Sequence, residues 1–382
     1  MTTQPNALPS AAELTPEELA ENRRYGQIQL LCDLADRAID LAFLALMAFL
    51  VAPHIRVAMD DIFPIDTVRL LSYFLLTTAL HVVVSLPLSY YSGHVLEHQF
   101  ALSNLTPYSW LLRYFKQLGL YIVMMGLMFV GLYWVIWLFG EWWWMVGAVA
   151  FFVVNVLVGQ LAPVLVLPLF YKIERINLPE LTERLERVAA GTGLSIEGVY
   201  RMDLSVETKK ANAMLAGFGR TRRVLLGDTA LANFTPDEIE VVFAHEIGHH
   251  VHRHISKIML IGLFSSAAGF WTCDRVAMAW ARQFDPAVDY ATFPVFTLPL
   301  MMLALRMFTL LLEPAVNTLS RHFERQSDRY ALARTGLQGA YVSAYRKLAR
   351  MNKDNPHPHS LEVFLFHSHP PMSERLAMAE GT

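Results

Sequence analysis

Charge is scarce in this 382-residue chain: 17% of residues are charged and 54% are hydrophobic. The mean hydropathy is +0.34. That balance excludes an ordinary soluble multidomain protein and favours an integral membrane protein. A positive excess is missing too. The net charge is −3, which removes any electrostatic case for nucleic acid as a partner. Cysteine is nearly absent. Cys32 and Cys273, both in apolar surroundings, form neither a disulfide framework nor a metal knuckle and read as packing residues. The first 26 residues are polar and acidic (Glu13, Glu17, Glu18, Glu21) and lack the basic start and short apolar run of a secretory signal. Entry into a bilayer is therefore expected through the spans themselves. No internal repeat or low-complexity tract breaks the chain.

A span needs about 20 mostly apolar residues. Five segments meet this: Leu70–Tyr91, Leu118–Phe139, Trp142–Tyr171 with Pro163 and Pro168 bending its end, Ile258–Trp280, and Phe293–Leu312. A weaker sixth covers about 35–54. Just upstream, Asp33, Asp36, Arg37 and Asp40 share one helical face. They read either as a solvated or paired stripe at the membrane edge or as the polar lining of an internal cavity. Lys and Arg concentrate in 172–257 and 314–382, with Arg56 and Arg282 the main exceptions. The positive-inside tendency places both polar segments and both termini in the cytoplasm. The expected organisation is four spans in 1–171, a first polar segment 172–257, two spans in 258–313, and a second polar segment 314–382. The two polar segments are each short and together suffice for one α+β domain. A helix is expected over about Pro179–Ala190. "KKANAMLAG" and "RRVLLGD" read as strands joined by the turn residues Gly217, Gly219 and Arg220.

The densest chemistry lies in "FAHEIGHHVHRH", residues 243–254. Thr235-Pro236-Asp237-Glu238 is a helix start, with Thr as N-cap, Pro in the first turn and Glu three residues after the cap. On the helix that follows, His245 and His249 are four apart and project from one face, so both can bind one Zn2+ at about 2.0–2.1 Å. Glu246 is turned about 100° away, which removes it as a ligand and leaves it to handle a proton of water. This is the H-E-x-x-H pattern of zinc proteases. The longer pattern with a third histidine six positions after the second fails, because Ile255 stands there. His250, His252 and His254 read as surface or interfacial groups.

A further ligand has to come from elsewhere. In "LSRHFERQSDRYA", 319–331, Glu324 and Asp328 share a helix face. They suit a carboxylate ligand plus a second carboxylate that orients a histidine, and they equally suit a salt-bridged surface helix with Arg321, Arg325 and Arg329.

Five stretches in order, "LPLSYYSGHVLEHQFALSN", "NAMLAGFGRTRRVLLGDTAL", "HEIGH", "SRHFERQSD" and "HSHPPMSER", make the chain from about residue 85 onward resemble the M48 metallopeptidases, in their integral-membrane CaaX prenyl protease branch. The resemblance implies a mainly α membrane protein of about six transmembrane helices, with a cytoplasmic gluzincin-like zinc-peptidase domain assembled from two segments. It implies one Zn2+ on His245, His249 and Glu324, Glu246 as general base, and Asp328 steadying a ligand histidine. It places oxyanion stabilisation on His369 and Arg375 and the substrate-binding edge strand at Asn212 and Ala213. The expected partners are a peptide or protein substrate, possibly prenylated or membrane-embedded, and the lipid bilayer. His367 competes with His369, and the following Pro370 decides between them. His357 and His359 have no family counterpart and read as loop residues. Eukaryotic relatives usually carry one more span at the N-terminus.

A transporter or structural protein with a zinc staple is the contrasting class. Structural zinc sites are closed by four ligands and have no use for a glutamate beside the first histidine, whereas three ligands plus Glu246 leave a position open. The pattern therefore favours an enzyme, a zinc metalloendopeptidase that processes CaaX termini or, alternatively, clears membrane polypeptides with broad specificity.

Overall fold

The computed structural model describes residues 13–217 and 222–381. The expected turn residues Gly219 and Arg220 lie outside the described residues. Gly217, with φ +91°, does turn the chain at the end of a strand.

Among the described residues, five helical stretches are long and apolar enough to cross a membrane. Helix α1, Pro16–Ile62, starts at a capping box: the Thr15 hydroxyl accepts from the Glu18 N–H at 3.2 Å, and the Glu18 carboxylate accepts from the Thr15 N–H at 2.8 Å. A π-turn over Met47–Val51 precedes Pro53, whose missing N–H removes a rung of the helical ladder. Helix α2 is Asp66–Gln99. The 64-residue stretch Pro107–Phe170 is far longer than one crossing needs. It breaks at Gly140, whose φ of +57° is one that L side chains rarely adopt, into α3, Pro107–Phe139, and α4, Trp143–Leu161. Helix α7, His254–Ala281, and helix α8, Leu298–Thr335, complete the membrane part. Their shared core includes Tyr73, Phe74, Tyr133, Trp143, Cys273 and Met301, while Val83, Leu127, Leu138, Phe264 and Leu311 stand exposed on the outside, as lipid-facing residues do. Both cysteines are buried and free.

Two members of the charged stripe of α1, Arg37 and Asp40, pair inward, while Asp33 is exposed. Two Arg37 nitrogens donate to Glu313 on α8 at 2.6 and 2.8 Å, and Asp40 meets His81 on α2 at 2.8 Å and Arg306 on α8 at 3.2 Å. The N-terminal acids ahead of it dock elsewhere: Glu18 and Glu21 bind Arg350 and Lys353 at the end of α9, Gln338–Asn352.

The polar segments build one α+β unit. Its sheet has the order β1 (Ile173–Ile176), β2 (Ile196–Met202), β4 (Arg222–Gly227), β3 (Ala213–Ala216). Strands β2 and β4 run parallel, and β3 is antiparallel to β4 with Ala213 opposite Leu226, so β3 lies at the sheet's edge. Helix α5, Pro179–Ala189, and helix α6, Pro236–Val251, pack Leu185, Val188, Phe243 and Ile247 against the strands. Two short helices, α10 (Ser360–Phe366) and α11 (Met372–Glu380), close the chain.

Helix α8 is the link between the two parts. It was expected to end near Leu312, with a separate helix following, but it continues through Pro314 to Thr335 without interruption. The boundary read at 313/314 lies inside it. Arg306 and Glu324 are thereby about 27 Å apart on one rod. α8 lies against α6 at a point where a Cβ on Gly248 would come 2.8 Å from the Ser327 Cα. That atom is backbone and cannot step aside. Gly248→Ala is expected to force the helices apart at a cost of about 1–3 kcal/mol, read as a lower melting temperature together with a lower metal content of the purified protein.

Candidate metal centre and substrate cleft

Helix α6 starts as its sequence dictates. The Thr235 hydroxyl accepts from the Glu238 N–H at 3.3 Å, the Glu238 carboxylate accepts from the Thr235 N–H at 2.7 Å, and Pro236 opens the first turn. Glu238 is also buried against Lys347 of α9 at 2.8 Å, which fixes the helix start against the C-terminal segment. Three turns on, His245 and His249 face α8 and meet Glu324.

The three side chains form a triangle of donor atoms. His245 Nε2 and His249 Nε2 are 3.2 Å apart, and the two Glu324 oxygens lie 3.3 Å from one and 3.3 Å from the other. Tetrahedral bonds of about 2.0–2.1 Å put ligand atoms about 3.3–3.4 Å apart, so the triangle already has the size a zinc-like ion requires. Glu324 Oε2 is buried and accepts no hydrogen bond, an orphan that a cation satisfies. Among the described residues this is the one cluster of three His, Cys or acidic side chains that can hold a metal ion. His245 Nδ1 is engaged from behind by Asp328 at 2.8 Å, which directs Nε2 into the triangle. In the metal-free chain burial disfavours the His245 cation, yet Asp328 and Glu324 outweigh that and raise its pKa to about 9. Metal binding near neutral pH therefore displaces a proton.

Asp328 is fully buried and satisfied on every side. Arg375 on α11 gives it Nε at 2.9 Å and Nη2 at 2.6 Å, and the Tyr345 hydroxyl lies 3.2 Å away. Burial opposes the Arg375 charge, but Tyr345 and Asp328 hold its pKa well above the ordinary value. Its Nε and Nη2 thus serve Asp328 and Tyr345. His369 Nε2 approaches Glu324 at 3.5 Å from the exposed side. His367 instead bonds Glu362 at 3.1 Å, so it is His369 that the chain brings to the site. His359 caps α10 by accepting from the Leu361 N–H at 3.2 Å.

Beside the triangle lies a cavity of about 360 Å3. Asn212 and Ala213 form its strand side, Glu246, His369 and Arg375 its polar side, and Phe234, Val242 and Leu348 part of its apolar lining. Of the candidate site residues read from the sequence, Asn212, Ala213, His245, Glu246, Glu324, His369 and Arg375 line this space, while His249 completes the triangle beside it and Asp328 lies buried behind His245. The approach to β3 is tied down by the last turn of α2 and the loop after it: Glu97 meets Lys210 at 3.0 Å, and Leu102 O accepts from the Lys209 N–H at 2.9 Å. Asn352 Oδ1 accepts from the Ala211 N–H at 3.1 Å.

One histidine needs correction. His254, expected at the surface, is completely buried, 3.1 Å from His249 Nδ1 and stacked on Phe323. Arg253, at φ +55° and ψ 37°, turns the chain between α6 and α7 and sends His254 back toward the metal cluster. Helical periodicity cannot foresee that left-handed residue. Tyr345 was missed as well, since nothing in its local sequence marks it.

An apolar bundle carrying a three-ligand cluster beside an open-edged sheet defines a membrane-embedded metallopeptidase. The chain belongs to peptidase family M48, whose model matches residues 176–382, and a model described as CAAX prenyl protease N-terminal, five membrane helices, matches 2–172. It is 26% identical over 395 aligned positions to CAAX prenyl protease 1 of Saccharomyces cerevisiae, covering 95% of this chain and 86% of that one. It is 23% identical to the uncharacterized metalloprotease YhfN of Bacillus subtilis, covering 97% and 87%. The crystal structure of S. mikatae Ste24p shares the fold, with a TM-score of 0.79, 24% identity, and coverage of 96% and 91%.

Asp328→Asn replaces a carboxylate that anchors both His245 and Arg375. It is expected to weaken metal affinity about 10–100-fold, measured by competition with a chelating dye.

Proposed function

We propose that the bound metal is zinc, that the cleft lies on the cytoplasmic side of the membrane, and that the enzyme cuts near the C-terminus of prenylated proteins carrying a CaaX motif. The observation that carries this reading is the open donor triangle. Three protein ligands of the right spacing face a cavity that also contains Glu246, so one coordination position is left for water and substrate. His/His/carboxylate sets suit zinc in catalytic sites, where it lowers the pKa of water to about 7 and polarises a carbonyl as a Lewis acid. The names of the yeast and other relatives supply the substrate class, and the concentration of Lys and Arg in 172–257 and 314–382 supports the cytoplasmic side.

The chain's own residues divide the work. An extended substrate adds to the free edge of β3 at Asn212 and Ala213, making main-chain hydrogen bonds that hold it in register. Glu246 takes a proton from the attacking water and passes it to the departing amine. His369 donates to the oxygen on which charge develops, and Arg375 adds positive charge there while holding Asp328. The apolar lining from Phe234, Val242 and Leu348 receives a hydrophobic side chain of the substrate and excludes water. The membrane helices anchor the enzyme and the segments 172–257 and 314–382 supply most of the peptidase, with α7 and α8 running through the divisions at 257 and 313.

Strand addition reads main chain more than side chains, which favours a second reading: removal of damaged or stalled membrane polypeptides with broad specificity. Purified protein is expected to contain one zinc per chain and to cleave peptide, with activity lost to a chelator and restored by zinc. Glu246→Gln is expected to retain the zinc and lose turnover at least 100-fold. A Glu246→Gln enzyme of wild-type activity removes that residue as the base. Comparing kcat/KM for a farnesylated CaaX peptide and its unprenylated twin separates the two readings: a clear preference for the lipidated peptide supports CaaX processing, and equal rates support the broad one.

A further inference from the structure

His254 lies outside the ligand set, yet its surroundings give it a direction. Its Nδ1 is 3.1 Å from Nδ1 of His249, and its Nε2 is 2.8 Å from Oε1 of Gln326 on α8. The Gln326 amide nitrogen in turn meets His322 Nε2 at 3.1 Å, and His322 is exposed. An amide oxygen only accepts, so the hydrogen on His254 sits on Nε2. The neutral ring then has a lone pair on Nδ1, and the contact with His249 is a hydrogen bond only if His249 donates. That places the His249 hydrogen on Nδ1 and leaves its Nε2 lone pair in the triangle with His245 and Glu324.

We infer that His254 and Gln326 form a proton-placing relay that locks His249 into its metal-binding tautomer, doing for the second histidine through two side chains what Asp328 does for the first through one. The inference rests on the metal reading of the cluster. Gln326 and Asp328 are two residues apart on α8, on either side of the fully buried Ser327 that touches Gly248. A single helical turn, beginning with the carboxylate ligand Glu324, thus carries one ligand and the means of orienting both others. The His254 end is held by its packing: the ring stacks on Phe323 with centroids 4.2 Å apart and planes 12° from parallel, and Arg253 supplies the turn that brings it there. Both are positioning residues and neither touches the cavity.

Gln326 is half-buried, which makes it the residue to change. Gln326→Met keeps the length and removes the acceptor, so both His249 tautomers become accessible. Gln326→Lys offers a donor in its place, puts the His254 hydrogen on Nδ1 and drives the His249 hydrogen onto Nε2, where a metal cannot bind. The full-length protein in detergent, stripped of metal, is titrated with zinc against a chelating dye, and the melting temperature of the metal-free form is recorded alongside. Expected is an affinity loss of about 10-fold for Gln326→Met and about 100-fold for Gln326→Lys, with metal-free melting unchanged. Wild-type affinity in both variants, equal losses in the two, or losses matched by a fall in metal-free melting overturn the relay. If the wild-type chain itself takes up no zinc, the metal reading fails instead.

Discussion

The contact between Gly248 and Ser327 sets the geometry of the centre. Helices α6 and α8 meet there almost backbone to backbone, closer than any residue larger than glycine permits on the α6 side. A side chain on Gly248 would push the helices apart and move the carboxylates of α8 away from the histidines of α6. At this contact Glu324 and Asp328 arrive one turn apart, one at the ligand face of the histidines and the other behind His245. The ligand triangle, the Arg375–Asp328–Tyr345 cluster and the His254 contact all depend on that single approach.

The same approach joins the two halves of the molecule. Helix α8 leaves the apolar bundle, where it holds Arg37 and Asp40 of α1 through Glu313 and Arg306, and ends in the peptidase core. Helix α7 leaves the metal cluster at His254 and enters the bundle. The N-terminal acids of α1 grip α9, and the end of α2 with the loop after it grips the residues leading into β3. Anchoring and catalysis therefore share elements.

Much of this was legible in the chain before any coordinates. The spans follow from runs of apolar residues, the α6 start from the Thr235–Glu238 capping box, and the paired histidines from a four-residue spacing, because each is a local property. Glu324 was open on spacing alone, since two acids on one face of a charged helix look the same whether they face water or an ion. Order along five flanking motifs, rather than periodicity, pointed to it as a ligand. What stayed hidden depends on single dihedral angles or on packing. Arg253 in a left-handed conformation turns a surface histidine into a buried one, and a proline at 314 that could have ended a helix is accommodated within it. The stripe at Asp33–Asp40 was ambiguous for a similar reason: its partners, His81, Arg306 and Glu313, are 41 to 276 residues away in sequence.

The unbroken course of α8 has a consequence for how the protein can be handled. A protease that clipped between bundle and peptidase would have to cut through the rod that supplies Glu324 or through α7, which begins at His254. The metal cluster is thereby tied to the apolar bundle through two continuous helices, α7 and α8.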